Sequence, residues 1–281
     1  CYMEKTKVII TGATGAIGSA VADSLASRHC DLVLACRNIN KGELLRSSLL
    51  SRYDDIDIRV MYLDLSSLKS VADFVRMMEK ETVKPDAVLN NAGVMCRDFS
   101  LTEDGLETTV GVNYVAAFLL TCLLIPHMSE DFNIVNTVSL TRYMADVDES
   151  LFDFNPDKYG QLHDYANSKY ALLLFTLKLS KMLNHGHVNM TDPGVVNSDM
   201  IKMNRWFDPL ADVLFRPLCK KPEKAAVPAC NALFSKRNDL LYHGDKFSAL
   251  SDKYHKHHFI DKLWDMTVQL LAEKGFTLNM L

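Results

Sequence analysis

Short runs of apolar and β-branched residues alternate along the chain with longer segments in which apolar residues recur at helical spacing. The strand-like runs are Lys7–Thr11, Asp31–Cys36, Ile56–Tyr62, Ala87–Asn90, Ile134–Val138 and Val188–Thr191. The helical segments between them are Ile17–Arg28, Lys41–Ser51, Leu68–Lys80, Leu106–His127 and Tyr165–Asn184. This alternation predicts βαβ units, and therefore an α/β fold with a doubly wound parallel β-sheet flanked by helices.

The pattern loosens after Thr191, where several prolines interrupt a segment rich in Met, Trp, Phe and Leu. Beyond it we expect a helix over Pro222–Phe234, a short strand near Tyr242–Phe247 and a helix over Phe259–Lys274. No repeat or low-complexity linker divides the chain, so residues 1–281 are predicted to form a single Rossmann-type domain.

Charge and cysteine usage argue against several classes of function. Lys plus Arg number 31 and Asp plus Glu 35, and a net charge of −4 gives no bulk attraction to nucleic acid. The seven cysteines are widely spaced and include no CxxC pair, which favours a reducing, cytoplasmic location over a disulfide framework or structural zinc. No run reaches the ~20 apolar residues of a membrane span. His255, His257 and His258 match no metal-ligand spacing, so no metal site is predicted.

The first strand is followed by Gly12-Ala13-Thr14-Gly15-Ala16-Ile17-Gly18 and then by an amphipathic helix. Glycines at such a turn let the backbone approach a pyrophosphate, whose charge then faces the helix N-terminus. The alternative is a tight strand-to-helix turn that binds nothing. Its place after the first strand favours a dinucleotide site.

The second strand indicates which dinucleotide is bound. NAD sites usually end this strand in an acidic residue that binds the ribose 2′-hydroxyl, but here Cys36 and Arg37 stand in that place. A guanidinium can pair with a 2′-phosphate, which favours NADP(H) over NAD(H), and Lys41 could assist. The alternative is that Arg37 is a solvated loop charge.

Tyr165 and Lys169 lie four residues apart at the start of a predicted helix, and so share one face of it. A nearby ammonium lowers the pKa of a phenol, and this would make Tyr165 a usable general acid and base. Tyr242 and Lys246 have the same spacing, but Gly244 between them indicates a turn or strand.

With these residues placed, the chain resembles the short-chain dehydrogenase/reductase family over nearly its whole length. The family's motifs occur in order: the Thr-Gly-rich first turn, Asp64, Asn90-Asn91-Ala92-Gly93, a helix carrying Asn113, Ser139, Tyr165-x-x-x-Lys169 and Pro193-Gly194. The retinol-dehydrogenase-like branch is indicated by Ala35-Cys36-Arg37-Asn38, by Val112-Asn113 with Phe118-Leu119-Leu120-Thr121, and by Pro193-Gly194-Val195-Val196.

The resemblance implies a catalytic tetrad of Asn113, Ser139, Tyr165 and Lys169. Tyr165 would exchange a proton with the substrate oxygen, and Ser139 would hold that oxygen by a hydrogen bond. Lys169 would bind the nicotinamide ribose and acidify the tyrosine, while Asn113 would hold a water of a proton relay. The alternatives are a helix-bending polar residue at Asn113 and an ordinary strand-end hydroxyl at Ser139.

The resemblance also implies a cofactor site spread over five strand ends and the helix that carries Tyr165 and Lys169. Asp64 would bind the adenine amino group and Leu65 would add a backbone contact, although Asn90 and Asn91 could instead form an Asx-turn. The remaining cofactor residues are Gly12, Thr14, Gly15, Ile17, Gly18, Arg37, Asn91, Ala92, Gly93, Tyr165, Lys169, Pro193, Gly194 and Val196.

The chain departs from the common pattern of the family in two places. Ala16 stands where the middle glycine of the first turn usually occurs, and residues Thr141–Asp164 form a long acidic and aromatic insertion between Ser139 and Tyr165. A loop of that length between two catalytic residues is expected to shape the substrate mouth.

Residues from about 195 to 222 are expected to form a substrate lid, because in this family the corresponding region covers the substrate. Its content of Met200, Met203, Trp206, Phe207 and Phe215 fits a lipophilic alcohol or carbonyl such as a steroid, a retinoid or a long-chain aldehyde. The alternatives are a helix packed on a partner subunit, a core segment, or shallow contact with a membrane surface. Family members pair as homodimers or homotetramers through the helices corresponding to Leu106–His127 and Tyr165–Asn184, and others are monomers.

The predicted function is NADP(H)-dependent interconversion of a lipophilic alcohol and its ketone or aldehyde. Two rivals use the same fold. One is a catalytically idle NADP(H)-sensing regulator, although a sensor has no need of the acid–base tyrosine. The other is a C=C reductase that uses the same Tyr–Lys pair.

Overall fold

A computed structural model of the chain describes residues 5–81, 84–194 and 220–278. The strands in this part of the chain are β1 (Lys7–Thr11), β2 (Asp31–Cys36), β3 (Ile58–Tyr62), β4 (Ala87–Asn90), β5 (Asn133–Thr137), β6 (His187–Thr191), β7 (Leu240–His243) and β8 (Lys246–Ala249). The helices are α1 (Ala16–Ala26), α2 (Ile39–Leu50), α3 (Leu68–Met78), α4 (Thr108–His127), α5 (Gln161–Met182), α6 (Pro222–Leu233), α7 (Asp252–His255) and α8 (Ile260–Glu273).

The strands form one sheet in the order β3-β2-β1-β4-β5-β6-β7-β8. Pairing is parallel from β3 to β7, and β8 pairs with β7 in the antiparallel sense. The chain moves outward from β1 in one direction through β2 and β3, then in the other through β4, β5 and β6. The order therefore reverses between β1 and β4, and a crevice opens there at the carboxyl ends of the strands.

The central strands are apolar because both faces of the sheet are covered. Every residue of β1, β4 and β5 is buried. On one face, the core includes Phe74 of α3, Phe118 of α4, Phe175 of α5 and Trp264 of α8. On the other face, α1 and α6 pack their small and branched residues against the sheet.

Helix α4 lies in the first of these layers. Its length and apolar composition would suffice to cross a membrane, but 89% of its most apolar window is buried within the fold, as in a core helix. The Glu107 carboxylate caps its first turn by accepting hydrogen bonds from the Thr109 and Val110 amides, each at 2.8 Å.

The predicted elements agree with the observed ones to within four residues, apart from the short helix α7, which is not predicted, and the strand near Tyr242. The single strand expected near Tyr242–Phe247 is a hairpin of β7 and β8, turned at Gly244 with a φ of +54°. Tyr242 and Lys246 therefore lie on different strands, with His243 opposite Lys246. Of the predicted lid from about 195 to 222, residues 195–219, including Val196, lie outside the described residues.

Candidate active site

The candidate site residues follow the strands that flank the point where the strand order reverses. The glycine-rich turn follows β1, Asn91 to Gly93 follow β4, Ser139 follows β5 and Asp192 to Gly194 follow β6. Parallel pairing places all four carboxyl ends at one edge of the sheet. Sites that the sequence separates by more than 180 residues thus share one crevice.

The first turn is closed too tightly for side chains at two of its glycines. Gly12 has a φ of +64°, and a Cβ built there would lie 2.9 Å from the Ala92 Cα. A Cβ on Gly18 would lie 2.3 Å from the Gly12 carbonyl oxygen. Helix α1 begins at Ala16, which is the residue that stands in place of the usual middle glycine.

The N-terminus of α1 is open to an anion. Its N-cap, Gly15, offers no side-chain hydrogen bond, and the first turn contains no acidic residue. The free backbone N–H groups and the positive end of the helix dipole therefore remain available. Thr14 and Ile17, on either side of Gly15, are both half-buried.

A set of hydrogen bonds joins the ends of β1 and β4. The Thr11 hydroxyl accepts from the Asn91 and Ala92 amides, each at 3.0 Å, and donates to the Leu89 carbonyl at 3.3 Å. The Asn91 side chain in turn donates to the Thr11 carbonyl at 3.0 Å. Asn91 thus holds the two loops together, and Thr11, which sequence reasoning missed, is its partner.

The neighbouring Asn90 has a different place. Its Nδ2 donates to the Thr121 hydroxyl at 2.8 Å and to the Asn136 side-chain oxygen at 2.7 Å. These bonds join β4 to α4 and β5 within the core. Of the two adjacent asparagines, Asn91 therefore bonds to the loop at the crevice and Asn90 bonds to residues of the core.

The residues predicted for the adenosine end lie after β2 and β3. Arg37 is exposed, and no ion pair or hydrogen bond engages its side chain in the described ranges. Asn38 caps α2 by accepting from the Lys41 amide at 3.0 Å. Asp64 accepts at Oδ1 from the Ser66 amide and hydroxyl, at 2.9 and 2.7 Å, which leaves Oδ2 without a hydrogen-bond partner among the described residues. Leu65 is buried beside it.

Lys169 is buried at the centre of the crevice. Its Nζ donates to the Thr137 carbonyl at 2.9 Å. A Cβ on Gly93 would lie 3.2 Å from both the Lys169 Nζ and the Asn113 Oδ1, so the three residues form one cluster. A side chain at position 93 would crowd the Lys169 ammonium, and glycine avoids this close contact.

Asn113 lies in the π-helical turn Gly111–Val115 of α4. Its side chain accepts from the Val94 amide at 2.7 Å and donates to the Val94 carbonyl at 2.8 Å and the Ser168 hydroxyl at 3.0 Å. π-Helical turns are rare and are frequent at functional sites. Here the turn lets one buried amide join the loop after β4 to α5.

Tyr165 lies in the second turn of α5 and is half-buried. Burial raises the pKa of its phenol, interaction with the Ser139 side chain lowers it, and the Asp192 charge raises it, with a net rise above the ordinary value. The same burial lowers the pKa of Lys169 to about 8, against a smaller opposing effect of Asp192. Burial is the largest influence on the pKa of Tyr165, and the Lys169 ammonium is directed at the Thr137 carbonyl.

Ser139 begins a short 3₁₀ turn over Leu140–Met144, and its hydroxyl accepts from the Thr141 amide at 3.2 Å. The hydroxyl thus caps this turn and also interacts with the phenol. The insertion that follows consists of this turn and two more, Glu149–Phe152 and Pro156–Lys158.

A buried ion pair lies beside the catalytic residues. Arg142 Nη1 donates to Asp192 Oδ2 at 2.7 Å, and the side chains are only 6% and 4% exposed. Sequence reasoning missed this pair because its members are 50 residues apart in loops without a distinguishing pattern. Gly194, with a φ of +73°, donates its amide to Asp192 Oδ1 at 2.9 Å.

These features fit a dinucleotide. The crevice offers an open helix N-terminus, close backbone approach at Gly12 and Gly18, a free carboxylate oxygen on Asp64 and a buried ammonium on Lys169. No group of three His, Cys, Asp or Glu able to hold a metal ion occurs in residues 5–81, 84–194 and 220–278.

Comparison with known proteins gives matches over most of the chain. A family model described as short chain dehydrogenase matches residues 6–207. Retinol dehydrogenase 13 of Homo sapiens is 34% identical over 231 residues, which are 79% of this chain and 70% of that protein. Retinol dehydrogenase 12 of Homo sapiens is 32% identical over 274 residues, 94% and 86% of the two chains. Among solved structures, a short-chain dehydrogenase from Sphingobium yanoikuyae in complex with NADPH has a similar fold, with a TM-score of 0.66, 19% identity and 95% coverage of both chains.

Proposed function

The chain belongs to the short-chain dehydrogenase family, and we propose that it uses NADP(H) to interconvert a lipophilic alcohol and its ketone or aldehyde, with Tyr165 as general acid and base. Family membership makes it an NAD(P)-dependent oxidoreductase acting on CH–OH or C=O groups. The observation that carries the proposal is the cluster of Asn113, Ser139, Tyr165 and Lys169 at one crevice, next to Gly93.

The proton chemistry follows from the burial of these groups. A raised pKa keeps Tyr165 protonated at neutral pH, so the phenol can donate its proton to a carbonyl oxygen. The Ser139 hydroxyl, beside the phenol, holds that oxygen. A bound nicotinamide supplies the hydride in this direction and accepts it in the other. Lys169, held by the Thr137 carbonyl, offers its remaining protons to the ribose and to the phenol.

The preference for NADP(H) is supported by the end of β2. Arg37 is exposed and unpaired within the described ranges, and no acidic residue stands at the end of the strand to repel a 2′-phosphate. A guanidinium binds phosphate oxygens bidentately, which an ammonium or a hydroxyl cannot do.

A lipophilic substrate is supported by exposed apolar side chains that are close to site residues in the sequence. Leu140, Tyr143 and Met144 follow Ser139 and are 48%, 67% and 60% exposed, and Leu162, one turn before Tyr165, is 44% exposed. Large exposed side chains of this kind, beside site residues in the sequence, are typical of a surface that contacts a ligand or another molecule. The names of the retinol dehydrogenases that match the chain agree with such a substrate.

The test is cofactor oxidation by the purified protein. NADPH and NADH would be compared against retinaldehyde, steroid ketones, long-chain aldehydes and small ketones. Tyr165→Phe is expected to lower kcat by ~100-fold or more, because it removes the acid–base group and leaves binding in place. Tyr242→Phe is the matched control, since Tyr242 also precedes a lysine by four residues but lies in the hairpin.

Three outcomes would overturn the proposal. Wild-type turnover by Tyr165→Phe would remove the tyrosine from the mechanism. NADPH binding without turnover on any carbonyl would favour the sensing alternative. Consumption of NADPH with an intact carbonyl and a saturated C=C bond in the product would favour the C=C reductase.

A further inference from the structure

We propose that the buried Arg142–Asp192 ion pair is a positioning device for catalysis, which joins the loop carrying Ser139 to the turn carrying Gly194 and balances the charge beside Tyr165 and Lys169. The proposal rests on the proposed function, because it concerns the same tyrosine and lysine. Both members of the pair lie next to the crevice and neither is in the catalytic tetrad.

The pair connects the ends of two strands. Arg142 Nη1 donates to Asp192 Oδ2 at 2.7 Å and also to the Ser139 carbonyl at 3.0 Å. The other carboxylate oxygen of Asp192 accepts from the Gly194 amide at 2.9 Å. One guanidinium and one carboxylate thus link the backbone of Ser139, after β5, to the backbone of Gly194, after β6.

Stability alone does not account for this pair. Burying two charges carries a desolvation cost that the ion pair often fails to recover, and apolar replacements of such pairs are frequently as stable. Here one buried donor, the Arg142 Nε, has no hydrogen-bond partner in the described part of the chain. An incompletely bonded buried guanidinium points to positioning.

The pair also reaches the substrate mouth. Arg142 Nη2 donates to the Tyr143 hydroxyl at 3.2 Å, and the guanidinium carbon lies 4.5 Å from the centre of that ring. Tyr143 is 67% exposed. The guanidinium therefore contacts three groups at once: the Ser139 carbonyl, the Asp192 carboxylate and the Tyr143 side chain.

Electrostatics connects the pair to the acid–base group. The Asp192 carboxylate raises the pKa of both Tyr165 and Lys169, although burial is the larger influence on each. Among the described residues, Arg142 pairs with the carboxylate, and Lys220 lies beside Gly194, where its Nζ would be 3.1 Å from a Cβ built on that glycine. Arg142 partly cancels the field that Asp192 exerts on the phenol.

The experiment is the pH dependence of kcat for NADPH-driven carbonyl reduction. Reduction requires protonated Tyr165 beside Lys169, so kcat falls on the alkaline side as these groups lose their protons, Lys169 first because its pKa is about 8. Asp192→Asn leaves the guanidinium uncompensated, which lowers the pKa of both groups and moves the alkaline limb to lower pH. Arg142→Met leaves the carboxylate uncompensated and moves the limb to higher pH. We expect roughly one pH unit in each direction, and the double variant should return close to the wild-type profile.

Arg142→Lys separates position from charge. It keeps the positive charge, so the limb should stay at the wild-type pH. It loses the guanidinium, whose Nη1 binds both Ser139 and Asp192 and whose Nη2 binds Tyr143, so kcat should fall while KM for NADPH changes little. This variant remains informative if a single variant with an unpaired charge fails to fold.

Asp153→Asn is the matched control, because Asp153 pairs with Lys158 at 2.8 Å in the same insertion but both side chains are more than half exposed. Asp153→Asn should leave the pH at which kcat falls unchanged. Single variants whose limbs stay in place, or move in the same direction, would overturn the inference. The proposed function fails in a different way, through turnover that does not depend on Tyr165.

Discussion

Burial shifts the pKa values of two residues of the site in opposite directions. It raises the pKa of the Tyr165 phenol and lowers that of the Lys169 ammonium to about 8. The sequence shows that the two residues are neighbours on a helix, but their depth below the surface is a property of the whole fold. Spacing therefore identifies the two residues as neighbours, while burial sets the net direction of the tyrosine pKa.

Lys169 should cost stability at neutral pH. Its pKa in the folded chain lies below the ordinary 10.5, so the unfolded chain binds the proton more tightly and stability rises with pH between about 8 and 10.5. Lys169→Met should therefore gain up to about 3 kcal/mol at pH 7 while losing activity, and the gain should vanish above pH 10.5. Denaturant unfolding at both pH values measures this.

Lys181→Met, at an exposed position of the same helix, is the control and should show no such pH dependence. A Lys169→Met variant less stable than the wild type at pH 7 would contradict the prediction.

Arg37 should determine the choice of cofactor. Arg37→Asp removes a guanidinium and introduces a carboxylate that repels a 2′-phosphate, so KM for NADPH should rise roughly 10- to 100-fold while KM for NADH changes little. Arg76→Asp, on the exposed face of α3, serves as the control. Equal changes in the two constants would show that Arg37 is a solvated loop charge.

At the scale of elements, the strands were the most predictable part of the molecule. β1, β2 and β4 have the bounds that the apolar runs predict, because strands buried on both faces read as continuous apolar segments. The sequence predicts one strand where the structure has the hairpin of β7 and β8, because a strand of four residues is too short to show a clear alternation of apolar and polar positions. The ion pair between Arg142 and Asp192 has no sequence signal, because loops 50 residues apart meet only through the parallel crossover.

The turn after Ser139 should set the preference for apolar substrates. Its exposed side chains gain contacts only with a substrate that is long and apolar, at about 0.8 kcal/mol for each CH₂ buried. kcat/KM should therefore rise along a series from acetaldehyde to long-chain aldehydes and steroid ketones, and Leu140→Asn should flatten that rise.

Leu44→Asn removes an exposed leucine from α2 (72% exposed, against 48% for Leu140) and is the control. A kcat/KM of the wild-type protein that stays constant across the same series would contradict the predicted apolar contacts with the substrate.

At the scale of the whole molecule, one topological feature gathers the site. The strand order reverses between β1 and β4, so the loops that follow four strands share a crevice. Helices α4 and α5, which pack on one face of the sheet, add Asn113, Tyr165 and Lys169 to this site. The fold class, the family and the class of enzyme predicted from the sequence are confirmed. The lid, the oligomeric state and the cytoplasmic location stay predictions.

The central claim is that hydride passes between NADPH and a carbonyl carbon while Tyr165 supplies the proton. The most direct measurement uses NADPH deuterated at the hydride-donating carbon of the nicotinamide, with retinaldehyde as substrate and the product examined by mass spectrometry and NMR. We predict one deuterium on the carbinol carbon, an intact polyene, and labelling that is ~100-fold or more slower with Tyr165→Phe. Deuterium on a carbon of a former C=C bond, or equal labelling by Tyr165→Phe, would contradict the account.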